Sequence, residues 1–370
     1  MNIMKDVTEL FLDLVKISSP SKQERAVADY IKDYLSHYSQ LNIIEDNTGE
    51  KIGGTTGNLI VQLPGKGSKL LFDAHMDTVR PCEQVKPQIT EGIIRSNGST
   101  ILGADDKSGI ALMLSMIDHL VRRDLHPAIT FLFTVCEEQS LQGAKQLDPS
   151  YLQEIDFAYV LDGEGPLGTA VVQTPHGCKG TLRIIGKEAH AGVCPEKGVN
   201  ALVVAAEAIN HIPMGRVDQE TTCNIGVVHG GSATNVVMGK VEMQFEARSF
   251  DQDKLEALID YVKDEFQRVC KINEAIFEEN LSYGTPGYKI NDQDDLIVPF
   301  KKACEKQSVR YQGAACGGGS NANVYRMRGI NAVNLSTNMQ NIHSVDETIA
   351  ITDLHQMLEI LLSLVEEFTN

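Results

Sequence analysis

Two histidines and a series of carboxylates follow apolar segments in this 370-residue chain. His75 and Asp77 come after "KLLFDA". Asp105 and Asp106 lie in "LGADDKSG", and Glu137 and Glu138 come after "ITFLFTV". Asp162 and then Glu164 come after "FAYVL", and His343 comes after "INAVNLSTNMQN". If those segments are strands of one open α/β sheet, their carboxyl ends share an edge, and ligands of such sheets gather there. Crowded carboxylates raise one another's pKa, and burying them unpaired is costly. One divalent cation, or two, removes both penalties.

Histidine nitrogen with carboxylate oxygen is a zinc-type ligand set, with cobalt or manganese as substitutes. Spacing suggests how the work divides. Residues two apart on a strand share a face, so His75 and Asp77 point the same way, one able to bind metal and the other to fix its ring tautomer. Adjacent glutamates point in different directions. One can ligate while the other faces a water whose pKa the metal lowers to about 7, taking its proton and passing it to a leaving amine. Each group also has a plain structural reading. Asp105-Asp106-Lys107 reads as the start of a helix, Glu137-Glu138 as the cap of a helix over "EEQSLQGAKQL", Asp162 as a turn residue, and His343 as a loop histidine. The metal reading is preferred because the plain ones require five coincidences on one sheet edge.

The elements that would position these side chains alternate from the start. Residues 4–16 and 22–38 have amphipathic helical spacing, and Ser21 with Glu24 reads as a capping box for the second helix. "GNLIVQLP" and "KLLFDAHMD" read as strands. In "KSGIALMLSMIDHLVRR" the apolar positions 110, 113, 114, 117, 120 and 121 form one stripe. "AITFLFTV" and "FAYVLD" are apolar enough for a sheet buried on both faces. This rhythm predicts an α/β fold with a mostly parallel sheet. From about residue 178 to 284 the order becomes β-α-β-β-α-β, the ferredoxin-like arrangement, ending in an edge strand at "INEAIFEENLSY". The α/β pattern then resumes and closes with a helix over 352–368. The parse is a catalytic domain of residues 1–177 and 285–370 interrupted by an inserted domain of residues 178–284.

Composition narrows the function classes. A net charge of −17 argues against nucleic acid and against an anionic membrane surface, both of which need a basic patch. "PGKGSK" lacks the Ser or Thr that a phosphate-binding loop requires after Gly-Lys. No apolar run approaches the ~18 residues needed to span a bilayer, and "MNIMKDVTELFLDLVK" lacks the apolar core of a signal peptide. The eight cysteines are scattered and read as reduced thiols. A cytoplasmic protein is expected.

Read in order, "AHMDTV", "LGADDKSG", "VCEEQSLQGA", "VLDGEG", "GKEAHAGVCPEKGVNA", "ATNVV" with "EARSFD", and "NIHSVDE" resemble the dinuclear zinc exopeptidases, the family of peptidase T, carboxypeptidase G, aminoacylase and succinyl-diaminopimelate desuccinylase. The resemblance covers nearly the whole chain and is nearest to the peptidase T branch. It implies two zinc ions. His75 and Asp162 would bind one of them, and Glu138 and His343 the other. Asp105 would bridge both, beside a cis peptide bond with Asp106. Glu137 would be the general base and Asp77 would orient His75. The inserted domain would be a lid, and a homodimer could form through it. His190 would reach the scissile carbonyl oxygen, with Asn235 and Arg248 holding the substrate's terminal groups. On sequence alone Arg248 reads equally as a salt-bridge partner of Asp251. One departure is that Asn321, in "CGGGSNANVY", stands where the family commonly has an acid beside the substrate site, which puts recognition of a free amino group in question.

The leading expectation is a tripeptidase-like exopeptidase releasing the N-terminal residue of short peptides. A carboxypeptidase or N-acyl-amino-acid deacylase on the same scaffold is the alternative. A catalytically silent metal-binding protein is a third reading, opposed by the presence of Glu137 and all five ligands.

Overall fold

Four apolar segments, Lys69–His75, Ala128–Thr134, Phe157–Glu164 and Asn331–Met339, form the parallel centre of one sheet. Their β-branched and aromatic residues are buried on both faces, as a sheet covered on two sides requires. The computed structural model describes residues 5–369, so the first predicted helix begins one residue outside them, at Met4. Among the described residues this sheet has nine strands. Antiparallel neighbours extend it: Leu59–Leu63 and then Asn42–Glu45 beside Ala128–Thr134, and Thr169–Thr174 beside Asn331–Met339. The sheet is therefore mixed but mostly parallel at its core. Among the described residues no helix is long and apolar enough to cross a membrane.

The chain divides into two compact units, Met1–Val172 with Lys289–Asn370, and Gln173–Tyr288. In the smaller unit the order is His176–Ile185, helix Ala201–His211, Thr221–Gly230, Lys240–Ser249, helix Gln252–Ile272, Ile276–Tyr283. Its antiparallel sheet runs Thr221–Gly230, Lys240–Ser249, His176–Ile185, Ile276–Tyr283, with a short outer strand at Gly215–Arg216. That is the ferredoxin-like order read from the pattern, and Ile276–Tyr283 is indeed an edge. Leu182, Ile184, Met243 and Phe245 on the sheet meet Leu255, Ile259, Val262 and Phe266 of the long helix in one core.

In the larger unit the helix read as one-sided differs from expectation. Ala104–Leu120 is buried nearly all round, because it packs on Lys69–His75 and is flanked by helices Val7–Val15 and Ile351–Glu366. A helix enclosed on every side must satisfy its polar groups internally. Asp118 accepts hydrogen bonds from the Tyr34 and Tyr38 hydroxyls, both at 2.5 Å, and Ser108 pairs with Thr337 at 3.1 Å. Close packing of this helix on the strand depends on Gly109. A methyl group there would lie 2.5 Å from Asp106 Oδ1 and 2.9 Å from Ala74 Cβ. We expect Gly109→Ala to lower the unfolding free energy by about 1–3 kcal/mol, the usual range for overpacking, measured by urea denaturation; an unchanged midpoint would mean that the helix moves away freely.

Candidate active site

His75 is the last residue of its strand, and Met76 is buried in the packing. The His75 ring is held from one side by the Asp77 main-chain carbonyl, 2.8 Å from Nδ1, while the Asp77 carboxylate is more distant at 3.5 Å. Nε2 therefore faces outward, 2.9 Å from Asp105 Oδ1 and 3.8 Å from Asp162 Oδ1. The second oxygen of Asp105 lies 3.1 Å from His343 Nε2, which is also 3.0 Å from Glu138 Oε1. One carboxylate thus offers each oxygen to a different histidine. Two groups result, His75 with Asp105 and Asp162, and Asp105 with Glu138 and His343, each with its ligand atoms within 4.8 Å of one another. Ligands at ~2.0–2.2 Å around a tetrahedral ion stand roughly 3.3–3.6 Å apart, so both groups have the right size for one divalent ion each.

The plain structural reading fails for Glu137 and Glu138 and holds in part for Asp106, whose Oδ1 accepts the Gly109 N–H at 3.1 Å where the helix begins. Helix Gln142–Gln146 starts after Glu137 and Glu138, with Leu141 as its N-cap. At the other turn Gly103 is the cap, Asp105 and Asp106 have non-helical backbone angles, and the bond between them is cis. Glu138 joins a ligand group whereas Glu137 does not.

The electrostatics show why a cation suits the cluster. Burial opposes the His75 imidazolium, yet its interactions with Asp105, Asp162 and Asp77 hold its pKa well above the ordinary value. Hydrogen bonds to Asp105 and Glu138 push His343 up to about 11. Burial, then the charge of Asp105, raises Asp162 to about 7. Burial, then the charge of Asp162, pushes Glu137 well above the carboxylate range. With only their own side chains, these groups must carry extra protons to coexist; two divalent ions would replace those protons.

The remaining three expected site residues belong to the smaller unit. His190 forms a bridge with Val236, and Ala191 N–H donates to the Asn235 carbonyl at 2.9 Å, so His190 and Asn235 are neighbours there. Arg248 pairs with Glu246 at 2.7 Å, and not with Asp251, which instead caps the helix that follows. Asn321 also differs from expectation. It is buried, and its amide donates to Asp73 Oδ1 and Thr134 Oγ1, both at 2.9 Å, while the Tyr325 hydroxyl donates to the other Asp73 oxygen at 2.7 Å. An amide fits there because a second acid would face the buried Asp73.

The peptidase dimerisation domain matches residues 177–274, and peptidase family M28 matches residues 58–196. Uncharacterized protein YqjE of Bacillus subtilis is 38% identical over 366 residues, 98% of each chain. The aminopeptidase PepT structure from Bacillus cereus superposes with a TM-score of 0.92 at 38% identity, over 98% of each chain. A tripeptidase structure from Staphylococcus aureus gives 0.94 at 33%, over 99% of this chain and 100% of that one. The chain belongs to the M20/M28 zinc exopeptidase family. It is a peptidase T-like metallopeptidase, as the sequence motifs implied.

Several residues of this exopeptidase that hold the acids in place were not recognised from sequence. The Asp77 carboxylate accepts the Glu137 and Glu138 main-chain N–H groups at 2.9 and 3.3 Å and the Ser21 hydroxyl at 2.6 Å. Ser21 is therefore not the cap of the second helix, which spans Arg25–Leu35 without a side-chain cap. Glu24, read as the other half of that capping box, accepts from the Lys22 and Cys136 main-chain N–H groups at 2.7 and 3.0 Å. Glu347 accepts from Gly103 and Asp105 N–H at 2.6 and 3.0 Å and fixes the other turn. Glu347 was visible inside "NIHSVDE" but had no assigned task. For Ser21 and Glu24 the capping-box pattern masked the long-range role.

Burial, with the nearby Asp77 charge, raises Glu24 to about 7. A carboxyl that binds its proton more tightly when folded loses stability as pH rises from its unfolded value near 4.5 through 7, and the cost is constant above that. Glu24→Gln lacks this titration. At fixed metal content, urea denaturation should show the variant gaining on the wild type between pH 4.5 and 8 by roughly 1–3 kcal/mol; parallel curves would contradict the assignment.

Proposed function

We propose that the chain is a dinuclear metal-dependent exopeptidase that releases the N-terminal residue of short peptides, tripeptides among them. The observation that carries this reading is Asp105 offering one oxygen to each histidine, with Asp162 and Glu138 completing the two groups. The aminopeptidase and tripeptidase structures to which the chain is similar support the direction of attack.

His75, Asp162 and Asp105 would hold one ion, and His343, Glu138 and Asp105 the other. Imidazole and carboxylate donors favour zinc, with cobalt or manganese as substitutes. Bound there, such a pair would supply Lewis acidity, polarising the scissile carbonyl and lowering the pKa of an attacking water toward about 7. Glu137 takes the water's proton on its carboxylate and delivers it to the leaving amine. Asp77 positions Glu137 and Glu138 through their main-chain N–H groups and His75 through its carbonyl.

His190 is assigned to the carbonyl oxygen that gains charge, and Asn235 and Arg248 to the substrate's terminal groups. Arg suits a carboxylate because its planar fork can bind both oxygens. The smaller unit is assigned the lid and homodimer contact, supported by the dimerisation-domain match. Val227 and Val228 on its strand Thr221–Gly230 are exposed at 43% and 48%, as an edge awaiting a partner would be.

The test is a substrate panel with added zinc, cobalt or manganese. Tripeptides should be cut to release the first residue; cleavage confined to N-acyl amino acids, or release of the last residue, would replace this reading with the deacylase or carboxypeptidase one. Glu137→Ala should keep its metal and lose about 10²–10⁴-fold in kcat, the usual worth of a general base. Near-normal turnover in that variant would remove Glu137 from the role.

A further inference from the structure

The larger unit has a cavity of about 630 Å³ between the end of strand Phe157–Glu164 and the segment leading to His343. Glu164 and Pro166 form one side, and Met339, Gln340, Asn341 and Ile342 the other. No lysine or arginine lines it. It is flanked by two proposed ligands, Asp162 two residues before Glu164 and His343 directly after Ile342.

The lining amides bond to one another and to the nearby chain. The Gln340 amide donates to Asn338 Oδ1 at 2.7 Å, Asn338 donates to Asp353 at 2.7 Å, and Asn341 donates to the Asp346 carbonyl at 3.4 Å. Asn338 and Asn341 each keep a second N–H, while the side-chain oxygens of the exposed Gln340 and Asn341 have no protein partner among the described residues. The Glu164 carboxylate likewise has neither a hydrogen-bond nor an ion-pair partner there. Asn338, Asn341 and His343 all have left-handed backbone, with φ of 63, 53 and 60°. Such conformations cost energy at non-glycine residues and concentrate where a site needs a particular wall. An exposed carboxylate with no cationic side chain beside it, together with apolar Pro166, Met339 and Ile342, fits a primary ammonium attached to a small side chain.

We infer that Glu164 receives the α-ammonium of the substrate's N-terminal residue and that this cavity holds that residue's side chain. The inference rests on the exopeptidase reading and supplies its selectivity. In a peptide losing its first residue, the ammonium nitrogen is two bonds from the scissile carbon, so its acceptor must stand close to the ions. Glu164 follows Asp162 by two residues, across a register irregularity against Asn331–Met339, and Ile342 directly precedes His343, so the cavity begins within two residues of a ligand from each group. An N-acyl substrate has no ammonium to offer, and a substrate presenting its carboxylate would be repelled. Glu164 thus takes the recognition role that Asn321, buried against Asp73, does not fill.

The test compares wild type, Glu164→Gln and Glu164→Asp on trialanine and N-acetyltrialanine, with metal content measured for each. Glu164→Gln should lower kcat/KM for trialanine by about 10- to 100-fold, the size expected for one lost charge-assisted hydrogen bond. Metal content and the low rate on the acetylated peptide should change little, and Glu164→Asp should fall between. An unchanged kcat/KM for trialanine, or equal losses on both peptides, overturns the inference. If the wild type cuts neither peptide, the exopeptidase reading fails separately. Calorimetry of trialanine binding then decides Glu164: weaker binding by the Gln variant supports it, and equal affinity overturns it.

Discussion

The two oxygens of Asp105 face two imidazole nitrogens, at 2.9 Å from His75 and 3.1 Å from His343, and the larger unit is built around holding that carboxylate there. Asp105 is buried, as are His75 and Asp106, so its charge cannot be left to solvent. The two histidines draw its pKa below the carboxylate range against the pull of burial. Asp162 and Glu137 are driven the other way. A cluster whose members disagree so strongly about protonation is one that a pair of cations would reconcile, and this requirement determines the shape of the loops around it.

Those loops are fixed by carboxylates used as acceptors for main-chain N–H groups. Glu347 holds the turn carrying Asp105, Asp77 holds the turn carrying Glu137 and Glu138, and Glu24 holds Cys136 just before it. Asp106 accepts the His75 N–H at 3.2 Å and the Gly109 N–H at 3.1 Å, tying strand end to helix start. Such bonds to charged acceptors are strong and directional. They allow adjacent glutamates to serve different purposes, one among the ligands and one left available for the proton. The cavity beside Glu164 would extend the same logic outward, a carboxylate near the proposed ligands serving as an address for a positive group.

Much of this was legible in the sequence because strand and helix periods are local. The parallel core, the inserted ferredoxin-like unit, and the convergence of His75, Asp105, Glu138, Asp162 and His343 follow from apolar segments with acids at their ends. What was not legible depends on contacts distant along the chain. Ser21 and Glu24 have the spacing of a helix cap, and only the fold brings them to Asp77 and Cys136. Asn321 resembles a substrate-facing position by motif, and only packing shows Asp73 beneath it. Helix Ala104–Leu120 carries a stripe by count but is enclosed by two helices that its own sequence does not reveal.

Everything above turns on whether Asp105 sits between two ions. Anomalous diffraction from crystals of the zinc-loaded protein addresses it directly. Two peaks about 3.5–4 Å apart are expected, one beside His75 and Asp162, the other beside Glu138 and His343, with an Asp105 oxygen on each. A single peak, or two peaks of which Asp105 touches only one, would contradict it.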